Sequence, residues 1–336
     1  MKDKKNNGLK NILVSFLVLL LVTGIPVNTY AADPITEEPV IEDPIPEPII
    51  TPPAIKKVSV PSRVKAAIAI DPATGEIYAS KNANTALPVA SVSKLMTVWL
   101  AFEKINKGAS IKQKVRIKSR KIEKMSRSGL YGGSVLHYGK TYTVEDLIKL
   151  TVIESSNAAS IQLGIWVAGS NKAFINKMNK EAKKLGLKKS SFTSACGLNN
   201  FDMKKYGLVV RGGKDGTNKM SAKDIAILAG MLMDKYPKVL KYSSSTKAKV
   251  KGKKLKNTNQ IITNGKIKKK ARALKVDGLK TGTTRRAGPC FASTCKPKGK
   301  KRIVTVILND SYRFTDTVDL MNKIYAKNSK RLSENN

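Results

Sequence analysis

Strand-like segments open and close the folded part of this chain, and helical segments fill its middle. Near the start, the apolar run 64–70 is followed by the turn sequence 71–75 and a second short strand-like run, which predicts a β-hairpin. Near the end, strand patterns cover 275–281, 289–294 and 302–308. Strands at both ends of a helical centre predict an α+β fold: an antiparallel sheet covered by helices, an all-helical lobe, and a cleft between the two.

Changes in residue spacing and capping residues mark the helical centre. From Ser91 the apolar residues follow one helical stripe, and Gly108 lies beyond its end. An aspartate three residues after Thr143 and after Ser221 fits a helix cap at each position. These signals place Ser91 in the first turn of a helix and predict further helices at 144–153, 157–167, 171–185, 222–233 and 316–326.

The first 32 residues have the layout of a secretory signal peptide. Lysines near the start precede the apolar stretch 12–22, and the small residues Ala31 and Ala32 follow it. The apolar stretch is short for a membrane span, and an uncleaved signal anchor is the alternative. Both arrangements predict that the rest of the chain lies outside the cytoplasm.

Three further segments follow the signal sequence. Residues 33–54 are rich in Pro and Glu, and we predict a disordered tether because this composition cannot bury a core. The alternative, an edge strand, fits poorly because proline recurs too often for a hydrogen-bond ladder. Residues 55–326 are long enough to form one large folded domain, and 327–336 form a polar tail.

The chain is strongly basic, with a net charge of +39 at pH 7. Such a charge attracts polyanions. Specific nucleic-acid binding is not predicted, because lysine-rich stretches such as 247–256 and 266–270 contain no aromatic residues that could stack on bases. A secreted chain would first meet anionic wall polymers and lipid headgroups. The alternative is a solvated basic face without a partner.

The cysteines and the histidine argue against a disulfide framework and a metal centre. Three cysteines, at 196, 290 and 295, are an odd number, and no paired Cys-x-x-Cys is present. His137 is the only histidine, which excludes a multi-histidine metal site. We predict no cofactor and no metal, and we expect the chain to be a monomer.

A candidate nucleophile and base lie at Ser91-Val-Ser-Lys94. Residues three apart in a helix share a face, so the hydroxyl and the amine can approach hydrogen-bonding distance. A serine hydroxyl needs a neighbouring base, and Lys94 can act as one when it is neutral. Burial and a second cation, for which Lys280 is the candidate, would both lower the pKa of Lys94. The start of a helix also directs N–H groups toward a developing oxyanion.

Other serines and the histidine offer weaker candidates. The same Ser-x-x-Lys spacing begins at Ser62, Ser244 and Ser293, but these pairs lead into a strand, lie in a polar lysine-rich stretch, or run into a turn. A Ser/His/Asp arrangement would need His137, which we interpret as a loop histidine because a different base is already placed.

Two more motifs carry groups suited to this chemistry. Ser155 and Asn157 lie between two predicted helices, where a hydroxyl could relay a proton and an amide could hold a carbonyl; a helix cap is the alternative. Lys280-Thr281-Gly282 lies on a predicted strand, where glycine allows close backbone approach; an ordinary strand end is the alternative.

Taken together and in this order, the three motifs resemble those of the D-alanyl-D-alanine carboxypeptidases, the low-molecular-mass penicillin-binding proteins. The flanking sequences 88–97, 276–283 and 287–288 are also similar to that family, and the resemblance covers about residues 58–326. It implies a β-lactamase/transpeptidase-like fold. It also implies a secreted serine enzyme that removes the terminal D-alanine of peptidoglycan stem peptides through an acyl-enzyme, which β-lactam antibiotics trap.

The resemblance also implies a role for each matching residue. Ser91 would be the nucleophile, Lys94 the base, Ser155 a proton shuttle, and Asn157 an orienting group for the substrate and Lys94. Arg313 would bind the terminal carboxylate, and the N–H groups of Ser91 and Thr283 would form the oxyanion hole. The implied substrate-binding residues are Lys280, Thr281, Gly282, Thr283 and Arg313. Whether the Cys196 thiol has a role stays open.

The chain is expected to differ from many members of that family in its C-terminal part. The chain stops soon after the matching region, so we expect neither the second β-rich domain nor the C-terminal membrane anchor of many relatives; the run 266–270 would hold the protein at the wall instead.

The enzymatic alternatives are a D,D-endopeptidase and a β-lactamase. The latter fits poorly because Glu181 is the only glutamate between Asn157 and Lys280. The non-enzymatic alternative is a wall-binding protein with a degenerate site.

Overall fold

The fold is described from a computed structural model, which covers residues 53–128 and 133–334. The predicted signal peptide, 1–32, and nearly all of the predicted tether, 33–54, lie outside the described residues. In the described part, no helix has both the length and the apolar character needed to cross a membrane.

The structure has the predicted α+β composition. The strands are β1 Ala66–Ile70, β2 Ile77–Lys81, β3 Leu87–Pro88, β4 Lys114–Arg116, β5 Thr141–Thr143, β6 Lys219–Met220, β7 Lys249–Val250, β8 Lys253–Lys254, β9 Val276–Thr284, β10 Gly288–Cys295 and β11 Ile303–Leu308. The helices are α1 Lys94–Asn106, α2 Arg120–Ser126, α3 Val144–Val152, α4 Asn157–Ala168, α5 Asn171–Lys184, α6 Asn200–Lys204, α7 Ala222–Lys235, α8 Lys238–Ser243, α9 Gln260–Thr263, α10 Gly265–Lys270 and α11 Arg313–Lys327. Two 3₁₀ turns, Ala90–Ser93 and Arg272–Leu274, complete the described elements.

The main sheet has five antiparallel strands in the order β2-β1-β11-β10-β9. The predicted hairpin is confirmed as β1 and β2, and its turn is closed by Asp71, whose carboxylate accepts from the Ala73 N–H at 2.8 Å. The three C-terminal strands are also confirmed. The last element of the order, β9, forms one edge of this sheet.

Both faces of the sheet are buried. Ile68 and Val306 belong to a core shared with α1 and α7, whereas Phe291 packs with Phe314 of α11 on the other face. Because β11 is covered on both sides, all six of its residues are buried, and its sequence reads as a continuous apolar run rather than an alternating one.

Helices α2 to α5 form the helical lobe predicted from the sequence. Thr143 and Asp146 make the predicted capping box at the start of α3. α4 is the inner helix of the lobe, since residues 157–164 are all buried and it packs against α1, α3 and α5. Its position brings its first residue, Asn157, to the start of α1.

The segment after α11 is more than a polar tail. Leu332 is fully buried and its carbonyl accepts from the Lys301 N–H at 2.8 Å. Arg331 forms an ion pair with Glu76, the residue directly before β2.

Candidate active site

The structure brings the first two motifs into direct contact at the start of α1. The Lys94 ammonium nitrogen donates to Ser91 Oγ at 2.6 Å and to Asn157 Oδ1 at 2.7 Å. Ser91 lies in the 3₁₀ turn that precedes α1, not in the α-helix itself as the spacing predicted. The turn forms because Ala90 has φ +48°, so the chain enters the helix abruptly and leaves Ser91 partly accessible.

The local backbone around Asn157 explains how its amide reaches Lys94. Ser155 has φ +61° at the turn between α3 and α4, and Ser156 then caps α4 by accepting from the Ala159 N–H at 3.2 Å. A helix cap was the alternative interpretation of this motif, and the residue that caps the helix is Ser156. The Asn157 side chain instead contacts Lys94.

The third motif lies on the edge strand β9, beside the same turn. Lys280 and Thr281 are buried, and Thr281 Oγ1 is 2.7 Å from Thr258 Oγ1. A Cβ at Gly282 would lie 2.8 Å from the Val89 carbonyl oxygen and 3.0 Å from the Ser91 nitrogen. Glycine at 282 therefore lets β9 approach the backbone of the 3₁₀ turn.

Together with β9, Arg313 and Thr283 form one wall of the cleft beside Ser91. Arg313 Nη1 donates to the Gly282 carbonyl oxygen and to Thr283 Oγ1, each at 2.7 Å. Arg313 is the first residue of α11, so this helix brings a residue from outside the three motifs into contact with the end of β9. The Thr283 side chain is exposed to the cleft.

A main-chain carbonyl is the group that the sequence analysis did not identify. The Cys196 carbonyl oxygen accepts from Lys94 Nζ at 2.7 Å and from Ser91 Oγ at 3.5 Å. The Cys196 thiol is fully buried, 4.0 Å from Met203 Sδ, and burial raises its pKa. The one residue in this loop that sequence reasoning could have noticed is Gly197. Its φ is +83°, and a Cβ there would lie 2.0 Å from the Ala90 carbonyl oxygen, so the position requires glycine.

Burial prepares Lys94 to act as a base. Its side chain is 0% exposed, and this desolvation lowers its pKa to about 8, with Cys196 acting in the opposite direction. Burial is also the main cause that lowers the pKa of Lys280, followed by the charges of Lys94 and Arg313. The charge of Lys94 therefore lowers the pKa of Lys280, whereas burial is what lowers the pKa of Lys94.

The remaining candidates lie elsewhere. His137 is an exposed loop residue whose Nδ1 lies 3.3 Å from Arg127 Nη2, as expected for a histidine outside the site. Ser244 and Ser293 donate to the carbonyl oxygens of Leu240 and Gly278. In the described part of the chain, no cluster of His, Cys, Asp and Glu suited to a metal is found.

Both the sequence and the fold of this chain match those of known proteins. Residues 55–312 match peptidase family S11, D-alanyl-D-alanine carboxypeptidase. D-alanyl-D-alanine carboxypeptidase DacF of Bacillus subtilis is 33% identical over 249 residues, which are 74% of this chain and 57% of DacF. The chain therefore spans little more than half the length of this relative.

Two solved structures share the fold. A peptidoglycan synthesis regulatory factor from Streptococcus pneumoniae superposes with a TM-score of 0.71 at 32% identity, over 79% of this chain and 72% of that one. Penicillin-binding protein D2 from Listeria monocytogenes, in its ampicillin-bound form, superposes with a TM-score of 0.62 at 28% identity, over 78% and 97%. From its motifs, its fold and these matches, the chain belongs to the D-alanyl-D-alanine carboxypeptidase family.

Proposed function

We propose that this chain is a secreted or wall-associated serine-type carboxypeptidase that removes the terminal D-alanine from peptidoglycan stem peptides. The observation that carries the proposal is the 2.6 Å contact between Lys94 Nζ and Ser91 Oγ at a fully buried lysine. A hydroxyl beside an amine of lowered pKa is an activated nucleophile. Family membership supports the choice of D-Ala-D-Ala peptides as the substrate class.

The reaction follows from these neighbours in two steps. Neutral Lys94 takes the hydroxyl proton while Ser91 Oγ attacks the carbonyl carbon of the penultimate D-alanine, and the N–H groups of Ser91 and Thr283 stabilise the oxyanion. The peptide C–N bond then breaks, and the leaving nitrogen receives the proton from Lys94 through Ser155. Water attacks the resulting ester with Lys94 again as base, which releases the shortened peptide and restores the Ser91 hydroxyl.

β9 and Arg313 form the side of the cleft that would recognise the substrate. The terminal carboxylate of the peptide would bind the Arg313 guanidinium and the hydroxyls of Thr281 and Thr283. Lys280 lies behind this position, and a bound carboxylate would favour its charged form. Gly282 admits the substrate backbone close to the strand, and Asn157 holds Lys94 and a substrate carbonyl.

A β-lactam would react with Ser91 in the same way. Attack opens the ring by breaking its C–N bond, but the leaving nitrogen stays attached to the acyl group and obstructs the water that would hydrolyse the ester. The ampicillin-bound relative from Listeria supports this expectation.

Intact mass after incubation with benzylpenicillin tests the proposal. We expect one adduct per chain in the wild type and none in Ser91→Ala. Ser244→Ala is the matched control, because it removes the serine of another Ser-x-x-Lys pair at an exposed position, and it should keep the adduct. Absence of the adduct from the wild type would contradict the proposal, as would failure to release D-alanine from a D-Ala-D-Ala peptide.

The alternative functions give different outcomes in the same assays. A D,D-endopeptidase would cleave cross-linked dimers faster than it releases D-alanine. A β-lactamase would release hydrolysed penicillin rapidly, but Glu181, its one candidate glutamate, accepts a hydrogen bond from Trp99 Nε1 at 3.0 Å on α5. A degenerate wall-binding protein would show neither adduct nor turnover.

We also propose that a basic surface keeps the enzyme at anionic wall polymers. Twelve lysines and arginines and no acidic residue occur between Thr246 and Val276. All twelve are exposed, and within the described residues none of them forms an ion pair with a carboxylate. The segment has no aromatic residue, which favours a polyanion without bases over nucleic acid. The protein would act there as a monomer, without a cofactor.

A further inference from the structure

A glutamate that belongs to none of the three motifs lies directly before Ser155, at the turn between α3 and α4. Glu154 is partly buried, and its Oε2 accepts from the Ser134 N–H at 2.7 Å and from the Ser134 hydroxyl at 2.8 Å. Its other oxygen, Oε1, accepts from the Lys256 N–H at 3.4 Å. One side chain therefore joins three segments that are far apart in the sequence.

The bonds to Ser134 hold a short piece of loop against the turn. Ser134 is buried, so its N–H and its hydroxyl both need an acceptor, and the Glu154 carboxylate supplies one for each. The neighbouring Gly133 packs directly on the turn, because a Cβ there would lie 2.7 Å from Ser156 Cβ and 2.9 Å from Ser156 Cα. Residues 133–134 are thus fixed against the backbone that follows Ser155.

Ser155 needs such support because its backbone lies in the left-handed region. Its φ is +61°, which a residue other than glycine keeps only where its surroundings hold it there. On one side, the Ser156 N–H donates to the Leu150 carbonyl oxygen at 2.9 Å. On the other side, the Thr258 N–H donates to the Ile153 carbonyl oxygen at 3.2 Å. These bonds anchor the main chain around the turn, and the side chain at position 154 adds contacts to the loop and to the segment before Thr258.

The same contacts reach the opposite side of the cleft. Lys256 is two residues before Thr258, whose hydroxyl oxygen lies 2.7 Å from Thr281 Oγ1 on β9. The segment from 246 to 276 contains no acidic residue of its own, so the Glu154 carboxylate brings an anionic acceptor to a strongly basic part of the chain. Glu154 therefore contacts the segment that adjoins β9 as well as the loop packed against the turn of Ser155.

The proposed reaction requires an accurate position for the Ser155 hydroxyl. It passes a proton from Lys94 to the leaving nitrogen, so it must come within hydrogen-bond distance of both groups. A misplacement of about 1 Å can lower a catalytic rate about 100-fold. A change in the turn at 154–155 would move this hydroxyl while Ser91 and Lys94, which belong to another segment, stay in place.

We infer that Glu154 is a positioning residue: through its bonds to Ser134 and Lys256, its carboxylate sets where the Ser155 hydroxyl lies for proton transfer to the leaving nitrogen. The inference rests on the proposed function and adds to it a residue outside the three motifs. Because both bonds from Ser134 end at one oxygen, the role requires an acceptor in the right place and not a negative charge.

Substitutions of Glu154 in two backgrounds test the inference. The measured quantity is kcat/KM for D-alanine release from a D-Ala-D-Ala peptide. Glu154→Ala should lower it about tenfold in the wild-type background, whereas Glu154→Gln keeps an oxygen for Ser134 and should lose no more than about threefold. In enzyme that already carries Ser155→Ala, Glu154→Ala should cause less than about a twofold further loss, because residues that act as a unit are not additive.

Glu145→Ala is the matched control. Glu145 is also a partly buried glutamate of the α3 region, but it accepts from the Tyr242 hydroxyl at 2.9 Å, away from Ser155. This variant should stay within about twofold of its parent in both backgrounds. Rates are expressed per folded molecule, from the amplitude of thermal unfolding. Should Glu154→Ala fail to fold, Ser134→Ala removes one of the two bonds to Oε2 and should give a smaller loss that is again absent in the Ser155→Ala background.

The results separate the inference from the function on which it rests. Equal losses in the two backgrounds would show that Glu154 supports the fold in general, and equal losses in Glu154→Gln and Glu154→Ala would assign the effect to charge. Either result would overturn the inference and leave the carboxypeptidase function intact. No release of D-alanine by the wild type would overturn both.

Discussion

At the scale of single residues, the contacts and the burial of Lys94 set the pKa of its amine. Its nitrogen is held by Ser91 Oγ, Asn157 Oδ1 and the Cys196 carbonyl oxygen, three acceptors within 2.7 Å. Such acceptors favour the ammonium form, whereas complete burial disfavours it, and the balance leaves a pKa of about 8. The neutral fraction of the Lys94 amine therefore changes within an accessible pH range.

The pKa of Lys94 predicts the pH dependence of acylation. Only the neutral amine accepts the Ser91 proton, so the second-order rate constant for acylation by benzylpenicillin should rise with pH and reach half its plateau near pH 8. Stopped-flow measurement of acylation between pH 6 and 10 checks this. A rate that is flat across this range, or that falls as pH rises, would contradict Lys94 as the base.

The sequence motifs pointed to the side chains of the candidate site but not to the Cys196 carbonyl oxygen. Ser91, Lys94 and Asn157 could be found because side-chain chemistry at fixed spacing leaves a motif. The Cys196 carbonyl oxygen has no such signal, since every residue carries one. Its position depends on the close packing of Gly197 against Ala90, which is a property of the folded chain.

At the scale of elements, the contact between β9 and the 3₁₀ turn aligns the two halves of the site. The sequence predicted a strand ending at Thr281, but β9 continues to Thr284 because Thr283 and Thr284 pair with Pro289 and Gly288 of β10. The three added residues, Gly282, Thr283 and Thr284, include no large apolar side chain and show no apolar alternation. Tertiary pairing, which local sequence does not encode, therefore extends the strand past Gly282, the residue that packs against the turn carrying Ser91.

Replacing the glycine at this contact should disturb catalysis more than folding. In Gly282→Ala, the new methyl group would lie 2.8 to 3.0 Å from backbone atoms of Val89, Ser91 and Val92, so the turn or the strand must shift. A misplacement of about 1 Å can lower a catalytic rate about 100-fold. We expect such a loss in D-alanine release.

The matched control for this variant is Gly265→Ala, because a Cβ at Gly265 meets nothing within 4 Å. Thermal unfolding should show that both variants are folded, and only Gly282→Ala should lose activity. Full activity in Gly282→Ala would show that the close approach of β9 is not required.

At the scale of the whole molecule, the sequence predicted the layers but not the order of strands. Alternation and turn residues indicated strands at both ends, and the helical lobe followed from capping signals. That β1 pairs with β11 depends on contacts between residues more than 200 positions apart, such as Ala66 and Leu308, which no local pattern reveals. The same long-range pairing brings α11 and Arg313 to the motifs of the cleft.

Charge is the other property of the whole molecule, and its distribution is uneven. The basic segment, Thr246 to Val276, lies beside the cleft because Thr258 contacts Thr281 and the Lys256 N–H donates to Glu154 at 3.4 Å. A polymer bound along this segment would therefore hold the enzyme with its site close to the wall. Binding through phosphate contacts weakens steeply with salt, whereas a specific pocket is less sensitive.

We expect the clustering of lysines in α10, and not the net charge of the protein alone, to determine binding to the wall. Changing the four lysines of α10, Lys266, Lys268, Lys269 and Lys270, to glutamate should lower binding to a purified polyglycerol-phosphate polymer about tenfold or more at about 0.15 M salt. The control changes four scattered exposed lysines, Lys112, Lys172, Lys223 and Lys327, and alters the net charge equally. Sedimentation with wall fragments before and after removal of their anionic polymer measures both variants. Equal losses would assign binding to overall charge, and unchanged binding in the α10 variant would exclude this surface as the docking site.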